Sequence, residues 1–319
     1  MTNNLEGIPF DTVHNRAGTS YAVYRDTLRP YYLRAWLDIT KGYFFLALLT
    51  ITAILLPGFS ATASWFYMPV AAVLTGYTAA YIALFAHEAG HYNLHPGKKT
   101  NDLLATLFVC LLFGLSIKSY RKIHWQHHLH LGTPADTETS YFHHLNNLFL
   151  LETLTGIHLL RTVVNKDGSR VLNPAQARES RLMLLAGFLL HGLLLTLAFY
   201  KGYWQAALIW IAGFGIFFPF FASLRQLLEH RDELAAAQTD FRKTPHGKLS
   251  RLFYHSLLSS SFGAAGFTRH LIHHWDPQVS YTRMKDIEQF LEEDRITGAV
   301  LKSSRTTYSK TFRKLYSRT

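Results

Sequence analysis

The chain has 319 residues, 49% of them hydrophobic and only 17% charged, with a formal net charge of +11. That charged share lies well below the roughly 25% of ordinary soluble domains. One cysteine, Cys110, excludes an intrachain disulfide and any cysteine-based zinc or iron–sulfur site, and no basic–aromatic interleaving supports nucleic-acid binding.

Residues 1–41 are mixed and charged. They begin on a polar stretch without the basic-then-apolar pattern of a signal peptide. Tyr31, Tyr32 and Trp36 crowd the end of the segment, as expected where a chain meets lipid headgroups. From Gly42 to Ala86 there is no charge at all. The run is more than twice the about 20 residues that one spanning helix needs, and Pro57, Gly58 and the small polar residues to Ser64 interrupt it. It reads as a membrane hairpin. The first histidine pair, His87-Glu-Ala-Gly-His91, follows directly.

Leu103–Ile117 is a second uncharged run, too short to span. Lys118, Arg121 and Lys122 close it before His124-Trp-Gln-His127-His128. Residues 118–181 are polar, with Gly132-Thr-Pro134, Asn165-Lys-Asp-Gly168 and Pro174 as breakers. Residues 182–224 carry a single charge, Lys201 beside Gly202, and form a second hairpin. The remainder is polar and basic, holds His270-Leu-Ile-His273-His274, and ends in a basic tail over 286–319.

Nearly all Lys and Arg lie in 1–41, 88–181 and 225–319, while the hairpin turns hold one lysine. The positive-inside rule therefore puts both termini and both long connections in the cytoplasm, in the inner membrane if the source is bacterial. The expectation is one all-α, integral, multi-pass domain over 1–319. Four transmembrane helices in two hairpins, 42–86 and 182–224, carry a cytoplasmic histidine-rich helical cap. Leu103–Ile117 must then be re-entrant or interfacial; as a span it would put the first two clusters on opposite faces.

Residues three and four apart share one face of a helix, so each cluster presents its imidazoles to one side. Eight imidazoles exceed the about four ligands of one zinc, and imidazole alone does not choose among Zn, Cu, Fe and Ni. His14, His143, His144, His158, His191, His246 and His255 stand alone and read as surface or core residues. His87-Glu88-x-x-His91 also fits the zinc-protease pattern, with Glu88 as general base. That reading leaves six clustered histidines without a task, and its nearest acidic third ligand, Asp167, lies in a hydrophilic loop. A histidine-lined metal transporter should hold ligands within its spans, where His191 is the only candidate.

The set His-x3-His, His-x2-His-His, His-x2-His-His, in this order and separated by hairpins, resembles the membrane fatty acid desaturase and hydroxylase superfamily over roughly residues 40–285. The resemblance implies a non-haem di-iron centre with His87, His91, His124, His127, His128, His270, His273 and His274 as ligands. In Arg225-Gln226-Leu-Leu-Glu229-His230, His230 matches an additional family ligand, and Gln226 a position that holds a water or orients a ligand. Gly132-Thr-Pro-Ala-Asp136-Thr-Glu138 resembles the Asp-x-Glu that follows the second box in relatives. Asp136, Glu138, Glu88, Glu229 and Asp276 are candidate partners for imidazole N–H groups.

The implied chemistry is O₂-dependent removal of hydrogen from an unactivated C–H of a fatty acyl chain or other lipid, leaving a double bond. A hydroxylase or ketolase acting on a lipid or carotenoid is the alternative on the same scaffold. No catalytic residue beyond the metal ligands is required. An apolar tunnel lined by aromatic residues near 213–221 and 262–267 should lead the chain to iron. Electrons should come from a separate ferredoxin or cytochrome b5 type donor. His95-Pro96-Gly97 is similar to a cytochrome b5 haem motif, but no haem-sized soluble domain surrounds it and it reads as a turn. The tail at 302–318 reads as solvated, with docking of an acidic donor, an acyl carrier protein or anionic lipid as the alternative.

Overall fold

The computed structural model describes residues 4–157, 161, 170–236 and 239–316. It is built almost entirely of helices. A short α1 (Tyr21–Thr27) precedes α2 (Tyr32–Phe59) and α3 (Ala61–Gly90). Then come α4 (Lys98–Phe108), α5 (Ile117–His130) and α6 (Asn147–Leu154), followed by α7 (Pro174–Tyr200), α8 (Trp204–Ala212) and α9 (Phe218–His230). After α9 follow α10 (Leu257–Phe262), α11 (His270–Trp275), α12 (Met284–Glu293), α13 (Arg295–Ser304) and α14 (Tyr308–Tyr316). Among the described residues the only strands are β1 (Leu252–Phe253) and β2 (Arg305–Thr306), paired in parallel.

Among the described residues four helices are long and apolar enough to cross a bilayer: α2, α3, α7, and the run Trp204–His230 that joins α8 to α9. The two expected hairpins are present, and their helices overrun the charge-free windows on the histidine-bearing side. Pro57 does not break the first hairpin, since it sits inside the last turn of α2. The reversal falls at Ser60, whose extended backbone and hydroxyl cap α3 by accepting from Ala63 N–H.

Small residues let the hairpins close. A Cβ at Gly42 would come within 2.7 Å of Ile82, which seats α2 on α3. A π-helical turn, Gly213–Phe217, joins α8 to α9, and Pro219, which has no N–H to give, follows it. This turn meets α3 backbone to backbone. A Cβ at Gly76 would lie 2.7 Å from the Gly213 carbonyl oxygen, and one at Gly213 would lie 2.5 Å from the Thr75 methyl. Close approach through small residues is how helices associate where lipid removes the hydrophobic drive. Gly76→Ala must part α3 from the π turn and is expected to cost about 1–3 kcal/mol. It should lower the thermal midpoint in detergent, whereas Gly192→Ala, with open space around it, leaves the midpoint unchanged.

The uncharged run 103–117 is not one helix. It enters as the end of α4, turns through a 3₁₀ segment, Cys110–Phe113, and leaves through Gly114 at φ +62°. Its apex lies between the hairpins. A Cβ at Gly187 of α7 would lie 2.8 Å from the Gly114 Cα, and one at Gly114 would lie 3.1 Å from the Leu184 Cα; Tyr43 donates to the Phe108 carbonyl at 2.7 Å. Leu112 offers its carbonyl to His191 Nε2 at 2.9 Å, and Trp210 donates to His191 Nδ1 at 2.9 Å. Indole N–H only donates, so Nδ1 accepts and a neutral His191 carries its proton on Nε2. His191 lies ten residues past Arg181, about 15 Å along the helix. The segment therefore turns back between the hairpins and does not run through as a helix, and His191 supplies the donor that its bent backbone needs.

The C-terminal part does not trail as a solvated tail. β2 pairs with β1, and α14 buries Tyr308, Thr311 and Leu315 in a cluster with Leu224, Leu227 and Leu228 of α9.

Candidate metal centre

The first pair of histidines ends α3, and the end of that helix is fixed from outside. Arg121 of α5 donates Nε to the Gly90 carbonyl at 2.8 Å and Nη2 to the Ala89 carbonyl at 3.1 Å, and its Nη2 also bonds Asp102 at 2.5 Å. Asn101 bonds the same Ala89 carbonyl. These groups take up carbonyls that a helix C-terminus leaves without partners. The residue after His91, Tyr92, adopts φ +62° without being glycine, and the Arg121 guanidinium covers its ring at 3.8 Å. Strain of this kind persists only where the surroundings over-determine it. It stops the helix at the second histidine of the pair, which caps α3.

The second cluster lies on α5, whose N-terminus Ser116 caps. The third lies on α11, a helix of six residues that Asp276 terminates. His230 is the last residue of α9, where Arg251 caps the Leu228 and Arg231 carbonyls.

These elements bring all nine histidines singled out in the sequence to one end of the helix bundle, in two touching sets. His87, His91, His124, His128 and His273 form one, and His127, His230, His270 and His274 form the other. Within each set one ring nitrogen per residue lies within 4.8 Å of all the rest. In the first set Nε2 of His273 is 2.9 Å from that of His87 and 3.0 Å from that of His128. Nε2 of His124 is 3.0 Å from those of His91 and His128. In the second set Nε2 of His270 is 2.9 Å from that of His230 and 3.1 Å from that of His274. The sets meet where the rings of His128 and His274 stand 4.6 Å apart.

The donor chemistry fits a metal in each set. Ligands at right angles around an ion with bonds of about 2.1 Å are about 3.0 Å apart, the spacing found here. For three rings the outward nitrogen settles the tautomer. His124 Nδ1 faces Glu138 at 2.8 Å, His127 Nδ1 faces Asp136 at 2.9 Å, and His230 Nδ1 faces the Leu249 carbonyl at 2.8 Å. Carboxylate and carbonyl oxygens accept, so each Nδ1 carries a proton, and in the neutral ring the Nε2 lone pair points into the cluster.

Burial, followed by repulsion from neighbouring imidazoles, holds His128, His270, His273 and His274 well below the usual imidazole range. Burial and His124 do the same to His91. Neutral rings are the metal-binding form. His127 is the exception. Burial pulls it down, but Glu138 and Asp136 outweigh burial and push it up to about 9. Burial would raise Glu138, yet His127 and His124 hold it well below the usual carboxylate range.

The acidic residues divide. Asp136 and Glu138 bond imidazoles, as expected of the Asp-x-Glu pair. Glu88 Oε1 reaches His87 Nδ1 at 3.5 Å, while its other oxygen accepts from Tyr281 N–H at 3.2 Å. Glu229 is 3.9 Å from His270 Nε2 and is tied to Arg225 at 2.7 Å. Asp276 is not an imidazole partner. It takes Tyr21 Oη at 2.9 Å and the Arg25 guanidinium at 2.5 Å, joining α1 to the end of α11. Gln226 reaches His124 through Glu138, to which its amide donates at 2.5 Å.

Of the lone histidines, His14, His95, His143, His144, His191, His246 and His255 stand outside both sets, and His158 and Asp167 lie outside the described residues. His95 accepts from Gly97 N–H at 3.0 Å in the turn before α4. Three participants had no sequence signal. Tyr141 donates to Asp136 at 2.6 Å, the Leu249 carbonyl orients His230, and Phe267 stacks on His270 with ring centres 4.8 Å apart.

The sequence model of the fatty acid desaturase family matches residues 63–300, well over half of the chain. No curated protein matches it.

Proposed function

The chain belongs to the fatty acid desaturase family, a membrane desaturase/hydroxylase class of oxidoreductase, and from that premise we propose that it desaturates a fatty acyl chain or lipid using O₂ and a pair of iron ions. The observation that carries this reading is the convergence of nine imidazole nitrogens on two adjacent points, from four separated stretches of chain. His87, His91, His124, His128 and His273 would hold one ion, and His127, His230, His270 and His274 the other. A bound ferrous pair supplies the O₂ reduction and hydrogen abstraction that no side chain performs.

The chain's own residues set that chemistry up. Nine imidazole ligands bring no negative charge of their own, in contrast to the mixed Glu and His sites of soluble di-iron bundles, which favours the ferrous state. Asp136, Glu138 and the Leu249 carbonyl fix ring directions and keep Nδ1 protonated. Phe267 sets an apolar wall against His270 and His87, so the substrate side of the cluster excludes water. Phe221 and Phe262 gather around Tyr77 beside this wall. Phe214 and Phe218 instead face Phe113 of the re-entrant turn. The acyl tunnel is thus best assigned to the first group.

We place the cap and both termini in the cytoplasm on the distribution of Lys and Arg. A separate ferredoxin or cytochrome b5 type protein is the proposed electron source. The protease reading has little support: Glu88 is fully buried and bonded to the Tyr281 N–H, away from any water it would activate. Metal analysis and product chromatography test the proposal together. An iron pair per chain and a new double bond are expected, with iron kept in Glu88→Gln. One zinc per chain, and loss of a proteolytic activity in Glu88→Gln, would overturn it.

A further inference from the structure

The polar, cap-forming part of the chain contains a stretch that dips toward the lipid. Leu252–Thr268 has no formal charge, between Arg251 and Arg269. α10 lies within it, and Leu257 and Leu258 at its start are 93% and 63% exposed.

The level of α10 can be read from the spans. Lys41 is the last charge on α2, and its neighbour Gly42 abuts Tyr81 and Ile82 of α3. The apolar layer therefore begins near residue 82. Tyr77 lies five residues deeper, about 7 Å, and its hydroxyl is 2.7 Å from Ser261 Oγ of α10. On the other hairpin Phe221, one turn beyond Arg225, stands against Tyr77 at 5.2 Å, and Phe262 lies 6.2 Å from Tyr77. The end of α10 thus sits below the level at which charges stop. Leu257 and Leu258, one turn before Ser261, would face hydrocarbon at that level without the cost they would incur in water.

The same stretch runs on to the metal centre. From Phe262 the chain passes Gly263–Gly266, where Gly266 takes φ +88° and a Cβ at Gly263 would strike the Tyr308 hydroxyl. It then reaches Phe267, whose ring is 4.6 Å from that of His87. One short segment therefore has its outer end in the lipid layer and its inner end against the histidines.

We infer that α10 is the lateral door of the site. The acyl chain of a bilayer-resident lipid enters between α3 and α9 past Tyr77, Phe221 and Phe262, and the Tyr77–Ser261 contact is the latch. The substrate class is lipid taken from the leaflet on the cap side, not a thioester delivered from water. The inference rests on the proposed function only for what happens to the chain after entry.

The test uses the full chain in phosphatidylcholine nanodiscs. A nitroxide on Leu257→Cys, with Cys110 buried and the only other thiol, should collide more often with O₂ than with a water-soluble nickel chelate. The reverse ratio would overturn the membrane placement. Next, phosphatidylcholine carrying a diazirine in its acyl chain is photolysed and the label mapped. Labelling of residues 262–275 is expected, tenfold weaker when Tyr77→Cys and Ser261→Cys are joined by a short reducible bridge, and restored on reduction. If that pair does not fold, Tyr77→Phe, which frees the latch and keeps the ring, should speed labelling severalfold. Equal labelling with the door bridged, or unchanged labelling in Tyr77→Phe, sinks the proposal. Failure of the desaturase reading would show separately, as absent iron or absent product with labelling intact.

Discussion

His273→Ala is expected to empty one metal pocket and His274→Ala the other, each with a fall in turnover of at least a thousandfold, about 4 kcal/mol of barrier. The neighbours of each ring explain the split. His273 Nε2 is the atom on which α3 and α5 meet, 2.9 Å from His87 and 3.0 Å from His128. His274 Nε2 lies 3.1 Å from His270 Nε2 of the second set. Iron per chain, measured by plasma spectrometry, should fall to about half the wild-type value in either variant, and to near zero in the pair if the two pockets fill independently. Undiminished iron and turnover in either single variant would remove the basis for two pockets.

The second large effect is expected at Glu138, away from the metals themselves. Replacing it with glutamine should weaken iron binding by about 10- to 100-fold, the usual cost of losing an outer partner of a ligating histidine. Both neighbours of Glu138 donate: His124 Nδ1–H at 2.8 Å and the Gln226 amide at 2.5 Å. A carboxylate accepts from both. An amide offers one oxygen and one NH₂, so with its oxygen on His124 its NH₂ meets the Gln226 NH₂, and matching returns only if Gln226 turns its own amide. Coupling Glu138→Gln with Gln226→Glu restores donor–acceptor matching without restoring the charge beside His124. Iron affinity, read by competition with a chelator, should recover in part. No recovery would assign the loss to charge alone, and no loss in the single variant would show that Glu138 does not hold His124. Asp136→Asn should behave alike at His127, where Tyr141 and the Glu138 N–H also donate.

The sequence carried the ligands more fully than their supports. Uncharged runs located both hairpins because lipid admits few charges. They could not mark the ends, because α2, α3, α7 and α9 continue past the apolar layer into charged turns that neighbouring helices stabilise. His230 was legible from its place after the last span, four residues beyond Gln226. Asp136 and Glu138 were legible because they follow the second cluster within one loop. Asp276 misled for the opposite reason: it adjoins the third cluster in sequence, yet its partners Tyr21 and Arg25 lie some 250 residues earlier. Tyr141 and the Leu249 carbonyl act through tertiary placement alone, and a backbone carbonyl has no residue type to signal it. The dip of α10 was hidden because its serines read as polar, although their hydroxyls bond carbonyls within the segment.

The turn at Cys110–Phe113 bears on how the protein is made. Its carbonyl at Leu112 is satisfied by His191, and its Gly114 by Gly187, both of which leave the ribosome some 70 to 80 residues later. Until the second hairpin arrives, a bent backbone with an unmet acceptor is poorly suited to hydrocarbon. The nascent turn should wait at the membrane surface and be drawn in as α7 and α8 insert, so biogenesis of the first half is completed by the second.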